Sequence, residues 1–173
     1  MKLRVPFWAT KGFDVKLNGK SISSSYRPQS YVEIPEREWT TSDVVEVVMP
    51  FTKYIDFCPD KMETAATSKN ETKTPFAPMW AGTLMYGPLA MTATGITQWK
   101  DATINLNSDL SNIILNGASE GKGYEANVYS LSCDGIKFLP DYYTDKHSTH
   151  YFRINFLGDQ SKEYKKKTFK SNK

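Results

Sequence analysis

The sequence holds only two cysteines and two histidines in 173 residues. Two thiols cannot build the disulfide framework of a small secreted scaffold, nor the four-ligand cluster of a zinc ribbon. Two imidazoles leave few groups that exchange protons near neutrality. Long apolar runs are missing too, and without ~20 consecutive apolar residues no helix spans a bilayer. There is no glycine-rich phosphate loop, no P-loop lysine and no nucleophile elbow. The chain opens MKLRVPFWATKG, where Pro6 interrupts any apolar run too early for a secretory signal.

Net basic charge is confined to one stretch. Residues 159–173 carry six lysines against two acids, a net +4, so residues 1–158 hold −1 of the chain's formal +3. A nucleic-acid surface needs an excess of basic residues spread over a folded face with aromatics between them, and this body is nearly neutral. The basic end reads as a flexible, solvated extension.

Aromatic residues, by contrast, are plentiful: 10 Tyr, 9 Phe and 4 Trp, or 13% of the chain. A disordered chain is poor in such residues. The length suits one domain or two very small ones.

Strand signals dominate. Leu3, Val5 and Phe7 alternate with polar neighbours, as do Phe13, Val15 and Leu17, and Asn18-Gly19 follows. Asn-Gly between alternating runs marks a tight hairpin, because both turn positions need positive φ. Tyr31, Val32 and Ile34 form a short strand, and residues 36–43 turn around Trp39. The β-branched run 44–50 (VVEVVMP) reads as a central strand, and 51–57 continues it after Pro50. Residues 59–75 are charged and rich in Ser and Thr, a long loop. Gly82, Gly87 and Pro88 punctuate the apolar stretch 76–93, which fits bent strands better than a helix. Residues 109–115 fit either helical turns or a strand. Residues 128–131 and 136–139 flank a second hairpin signal, Asp134-Gly135, and 151–157 form a last strand. The whole reads as an all-β chain, an antiparallel, jelly-roll-like β-sandwich with at most short helical turns.

Few residues offer chemistry. His147 and His150 stand three apart beside Asp145, a pattern for a small metal-dependent hydrolase, but the flanking residues favour a polar turn before the last strand. Cys58 and Cys133 either pair in an oxidising compartment or remain separate buried thiols. Carboxylates are numerous, yet nothing selects the facing pair that a glycosidase needs. Trp99 with its polar flanks, Trp80 and Tyr142 are candidates for stacking on sugar rings, against the ordinary reading of tryptophan in a small sandwich as core. No residue stands out as catalytic, and no cofactor is implied.

Three segments together carry a resemblance: LRVPFWA, the strand FDVKLNG, and SYVEIPEREWTTSDVVEVVMPF. They are similar to the start of the C-terminal β-region of glycoside hydrolase family 127, which includes β-L-arabinofuranosidases. Gly87-Pro88-Leu89 resembles a later strand of that family, with Met91 where an aromatic is usual. Residues 140–156 resemble its last segment more loosely, with His150-Tyr151 in place of Arg-Tyr. Trp39 would then plug a sandwich end.

What the resemblance implies is largely where the chemistry lies. The family's nucleophilic cysteine, its zinc and its glutamate acid/base sit in a helical toroid that precedes the β-region. No catalytic residue carries over to any position here. The expectation is a non-catalytic accessory module, not an enzyme on its own, whose partner is that N-terminal helical catalytic domain. Residues 1–94 would form the family-like sandwich, 95–158 a β-rich extension and 159–173 the tail. A sandwich short of its first strands exposes a sheet edge, which invites a homo-oligomer. A periplasmic or extracellular location follows from the resemblance alone. The alternative is a free-standing carbohydrate-binding module.

Overall fold

The structure, a computed structural model, describes residues 1–22, 26–57, 80–96, 103–117, 129–144 and 148–157. The loop expected at 59–75 and the lysine-rich stretch 159–173 lie outside them. The described chain is all-β and sandwich-like, with thirteen strands and one short 3-10 turn. It divides into two compact units. The first is Met1–Lys53 with Tyr86–Pro88, and the second is Tyr54–Met85 with Leu89–Lys173.

In the first unit, β1 (Lys2–Val5) pairs antiparallel with β4 (Ser30–Glu33). β2 (Asp14–Leu17) lies between β3 (Lys20–Ser21) and β5 (Val45–Val48), again antiparallel. The core gathers Val5, Phe13, Val15, Val32 and Ile34, the inward residues of these alternating runs. Asn18 and Gly19 take φ of 51° and 79°, as a two-residue turn between β2 and β3 demands. Phe7 leaves the alternation. The chain turns there, with Ala9 N donating to Pro6 O at 3.2 Å, and Phe7 is exposed.

β5 corrects one expectation. It is an edge strand, not a central one, and Val44 and Val47 are 62% and 36% exposed. A β-branched run fits any pleated surface, so composition does not separate edge from centre. Gly87 also has a specific job. Its φ is +57°, and a Cβ there would stand 2.5 Å from Phe51 Cγ. The Phe51 ring itself packs edge-on against Trp8 and Tyr86.

The second unit is built on one eight-stranded sheet. Its strands are β6 (Lys53–Phe57), β7 (Trp80–Tyr86), β8 (Leu89–Ala93), β9 (Thr103–Leu106), β10 (Ile114–Asn116), β11 (Ser130–Cys133), β12 (Ile136–Pro140) and β13 (Phe152–Phe156). The order is β10-β11-β12-β8-β7-β13-β9, and β6 also pairs with β7. β13 and β9 run parallel, which makes the sheet a mixed one. The long stretch of chain between β9 and β13 makes a parallel pairing possible. Register aligns the apolar positions: Ile154 opposes Ile104, Phe156 opposes Leu106, and Leu131 opposes Phe138. Phe138 and Phe152 are fully buried and meet edge to face at 5.1 Å.

The hairpin between β11 and β12 turns on Asp134 and Gly135, at φ 51° and 76°. Asp134 also ties this turn to β9, accepting from Asn105 N at 2.7 Å and Asn105 Nδ2 at 2.8 Å. Residues 109–115 resolve into turns followed by the first two residues of β10. Asn112 stabilises them by accepting from Asn107 N at 2.9 Å and donating to Asn105 O at 2.7 Å.

Candidate functional site

Of the candidate sugar-stacking residues, Tyr142 sits in the 3-10 turn Asp141–Tyr143 and is 67% exposed. Trp80 opens β7, its backbone paired with Ile154, while its side chain falls outside the described part. Trp99 lies outside the described residues, as do Cys58, Asp145 and His147. His150 is exposed, its ring centroid 4.9 Å from that of Tyr151. Among the described residues no three His, Cys, Asp or Glu side chains are placed to hold a metal ion. Cys133 is a buried free thiol whose pKa burial raises to about 11, with the Asp134 carboxylate adding to the effect.

The most fully built cluster lies elsewhere, in the first unit, around Asp43. Its side chain is 4% exposed and accepts from every side. Asn18 Nδ2 donates to Oδ1 at 2.7 Å, and an Arg37 guanidinium nitrogen donates to the same oxygen at 3.0 Å. The backbone N of Thr40 donates to Oδ2 at 2.8 Å and its hydroxyl at 3.2 Å. These hydrogen bonds, led by the one from Asn18, hold the Asp43 carboxyl below its ordinary pKa of 3.8. Asn18 is itself locked, accepting from Val44 N at 2.8 Å.

The bracket has a consequence for Trp39. With Arg37 fixed by Asp43, its guanidinium carbon stands 5.5 Å from the centre of the indole. A cation over an exposed indole contributes about 0.5–1 kcal/mol. Trp39 remains 46% exposed. It does not plug a sandwich end. Sequence reading found the turn but missed the bracket. The signal was there in Arg37-x-Trp39 followed by Asp43, but the contact with Asn18 is non-local.

A second feature is an open groove of about 470 Å³ on β10, β11 and β12. Ile114, Ser132 and Lys137 face one another across the three strands, and Asn116 stands opposite Ser130. Asn116 Nδ2 donates to the hydroxyls of Ser130 and Ser132 at 3.2 Å and 3.4 Å. Hydroxyls, an amide and an ammonium beside Ile114 and Ile136 are groups that hold a polyhydroxylated ligand.

A solved structure titled "Glycoside hydrolase" matches with a TM-score of 0.55 and 16% sequence identity, over 88% of this chain and 27% of that one. At that identity the likeness is one of fold, and this chain spans about a quarter of the length of the protein it matches. A family model matches part of the chain. Residues 1–51 match the family model described as beta-L-arabinofuranosidase, GH127 middle domain. The resemblance read from LRVPFWA onward is thus shown, and the matched stretch nearly coincides with Met1–Lys53 of the first unit. A search of curated proteins finds no match.

Proposed function

We propose that the chain is a non-catalytic β-module of a family-127-type glycoside hydrolase, acting on L-arabinofuranoside-containing plant-type glycans through the enzyme's helical domain. In this reading the first unit braces that helical catalytic domain. The observation that carries it is the coincidence of the GH127 middle-domain match, residues 1–51, with a compact unit of the fold. The family resemblance puts the cysteine nucleophile, zinc and glutamate acid/base in the preceding helical toroid, so the module contributes surface and not reacting groups. The chain is assayed alone on β-L-arabinofuranosides, then mixed with the helical catalytic domain of a family-127 enzyme. No hydrolysis by the chain and a raised melting temperature for the catalytic domain are expected. Hydrolysis by the chain alone overturns the proposal.

The groove on β10–β12 favours a second reading, that the second unit holds carbohydrate. Its polar lining is preset by the Asn116 hydrogen bonds to Ser130 and Ser132. Calorimetric titration with arabino-oligosaccharides tests it. Binding that Asn116→Ala weakens supports this reading, and absence of heat removes it.

A further inference from the structure

We infer that Asn18 is a self-modification site: loss of its amide nitrogen turns the contact with Asp43 from a clamp into a repelling pair, and so releases the loop 36–43 from the turn between β2 and β3.

The reaction needs only water. Gly19 N bonds to Asn18 Cγ, and the amide nitrogen leaves as ammonia with the proton that Gly19 N gives up. Water then opens the cyclic imide at either carbonyl, to aspartate or isoaspartate. The turn is accessible to this chemistry. Asn18 and Gly19 are both exposed. A Cβ built on Gly19 would meet nothing within 4 Å, so the attacking nitrogen is not walled in. The hydrogen bonds that hold the amide lie at the surface, where local opening costs least. The clamp delays the reaction and is undone by it.

The partner decides what the reaction does. The sequence holds a second Asn-Gly pair, Asn116-Gly117. There the amide donates to the hydroxyls of Ser130 and Ser132. A hydroxyl donates as well as accepts, so a carboxylate at 116 keeps both contacts with the serines turned round. Asp43, when ionised, only accepts. Its Oδ1 takes the Asn18 bond at 2.7 Å, and its side chain is 4% exposed. Conversion puts a second carboxylate where the donor stood, and each disfavours the charge of the other. Arg37 reaches the same Asp43 oxygen at 3.0 Å, but its single charge leaves the trio at −1.

Isoaspartate adds a second break. Its main chain runs through the former side chain and is one carbon longer. A two-residue turn that sets Leu17 opposite Lys20 has no room for the extra atom. Asn18 N is then drawn from Val44 O, its partner at 2.9 Å. Either product therefore cuts the links from the hairpin to Asp43 and Val44. The bonds from Thr40 to Asp43 are local to the loop and stay. Because ammonia is lost, the change runs one way.

The test incubates the 173-residue chain at mildly alkaline pH and withdraws samples over time. Peptide mapping follows conversion at Asn18 and at Asn116. Amide exchange by NMR, at one common pH, follows Val44, whose N–H donates to Asn18 Oδ1 at 2.8 Å. Exchange at Val44 is expected to become about tenfold faster in converted molecules, the equivalent of one lost hydrogen bond. Its rise should track conversion at Asn18 and not the time course at Asn116. Asn18→Asp should show the faster exchange without incubation. Circular dichroism checks that this variant folds, and aged wild type stands in should it not. If Asn18 keeps its amide throughout, whether or not Asn116 converts, there is no self-modification and the inference is wrong. If Asn18 converts and Val44 exchanges as before, or Val44 follows Asn116 instead, the switch is overturned.

Discussion

Asn18 and Asp43 stand 25 residues apart in the chain, and their side chains meet at 2.7 Å. The link is doubled along the backbone. Asn18 N donates to Val44 O at 2.9 Å, and Val44 N donates back to the Asn18 side chain at 2.8 Å. Asn18 therefore has two duties. Its backbone adopts the positive φ of the hairpin turn, and its amide clamps the loop that carries Arg37 and Trp39.

The two duties separate by mutation. Asn18→Gly keeps the turn, since glycine enters positive φ freely, and removes the clamp. Asn18→Asp also tolerates the turn but sets a carboxylate against Asp43. Both variants are expected to be less stable than wild type in urea, with Asn18→Asp the weaker of the two at pH 7. Raising the salt concentration should narrow the gap between them, because like-charge repulsion is screened. Equal stability of all three proteins would show that the clamp contributes nothing.

The clamp also protects the amide chemically. Before glycine, an asparagine side chain is attacked readily by the next backbone nitrogen. The Gly19 N–Cγ bond forms, ammonia leaves, and water opens the resulting imide to aspartate or isoaspartate. In wild type the Asn18 amide is held at both ends, Nδ2 by Asp43 and Oδ1 by Val44 N. Asp43→Ala releases one end. Peptide mapping after incubation at mildly alkaline pH should find faster conversion at Asn18 in Asp43→Ala than in wild type. Equal rates would mean that the turn backbone alone governs the reaction.

Sequence patterns reached the local features and stopped at the non-local ones. Both hairpins were readable because Asn18-Gly19 and Asp134-Gly135 carry their own geometric demand, positive φ at two successive residues. The core face was readable from alternation, as Val15, Val32 and Phe138 bear out. The edge position of β5 was not, since valine suits either place. The family resemblance makes Trp39 a buried plug. Its exposure depends on Arg37 being held by Asp43, and that in turn on Asn18, a chain of contacts that no period encodes. The tie between Asp134 and Asn105 spans 29 residues and was equally hidden. The sugar-stacking group of Trp80, Trp99 and Tyr142 stays an expectation of the sequence.

The core of the second unit offers a sharper energetic test. Phe138 on β12 and Phe152 on β13 are both 0% exposed, with ring centroids 5.1 Å apart and planes at 84°. Truncating either to alanine removes a fully buried ring and leaves a cavity, at a cost of about 3–5 kcal/mol. Edge-to-face pairs add about 0.5–1.5 kcal/mol beyond burial, so the double variant should cost less than the two single changes together. Chemical denaturation of the four proteins closes the cycle. Strict additivity would mean that the two rings pack independently.

Alkaline stability provides a test whose sign is fixed by burial. The Cys133 thiol is 4% exposed, donates to Asn105 O at 3.5 Å and receives Asn112 Nδ2 at 3.6 Å. Burial, then the Asp134 charge, raises its pKa from 9.0 to about 11. The unfolded chain thus releases this proton near pH 9 while the folded protein keeps it. The stability the thiol contributes is whole below pH 9 and is lost as the pH rises through about 11. Tyr54 behaves alike one step higher, raised by burial and by Asp56 from 10.0 to about 12. Cys133→Ser removes the first titration and leaves the second. The melting temperature of wild type should therefore begin to fall near pH 9, and that of Cys133→Ser only near pH 10. Superimposable profiles between pH 8 and 11 would mean that the Cys133 thiol ionises as freely in the folded protein as in the unfolded chain.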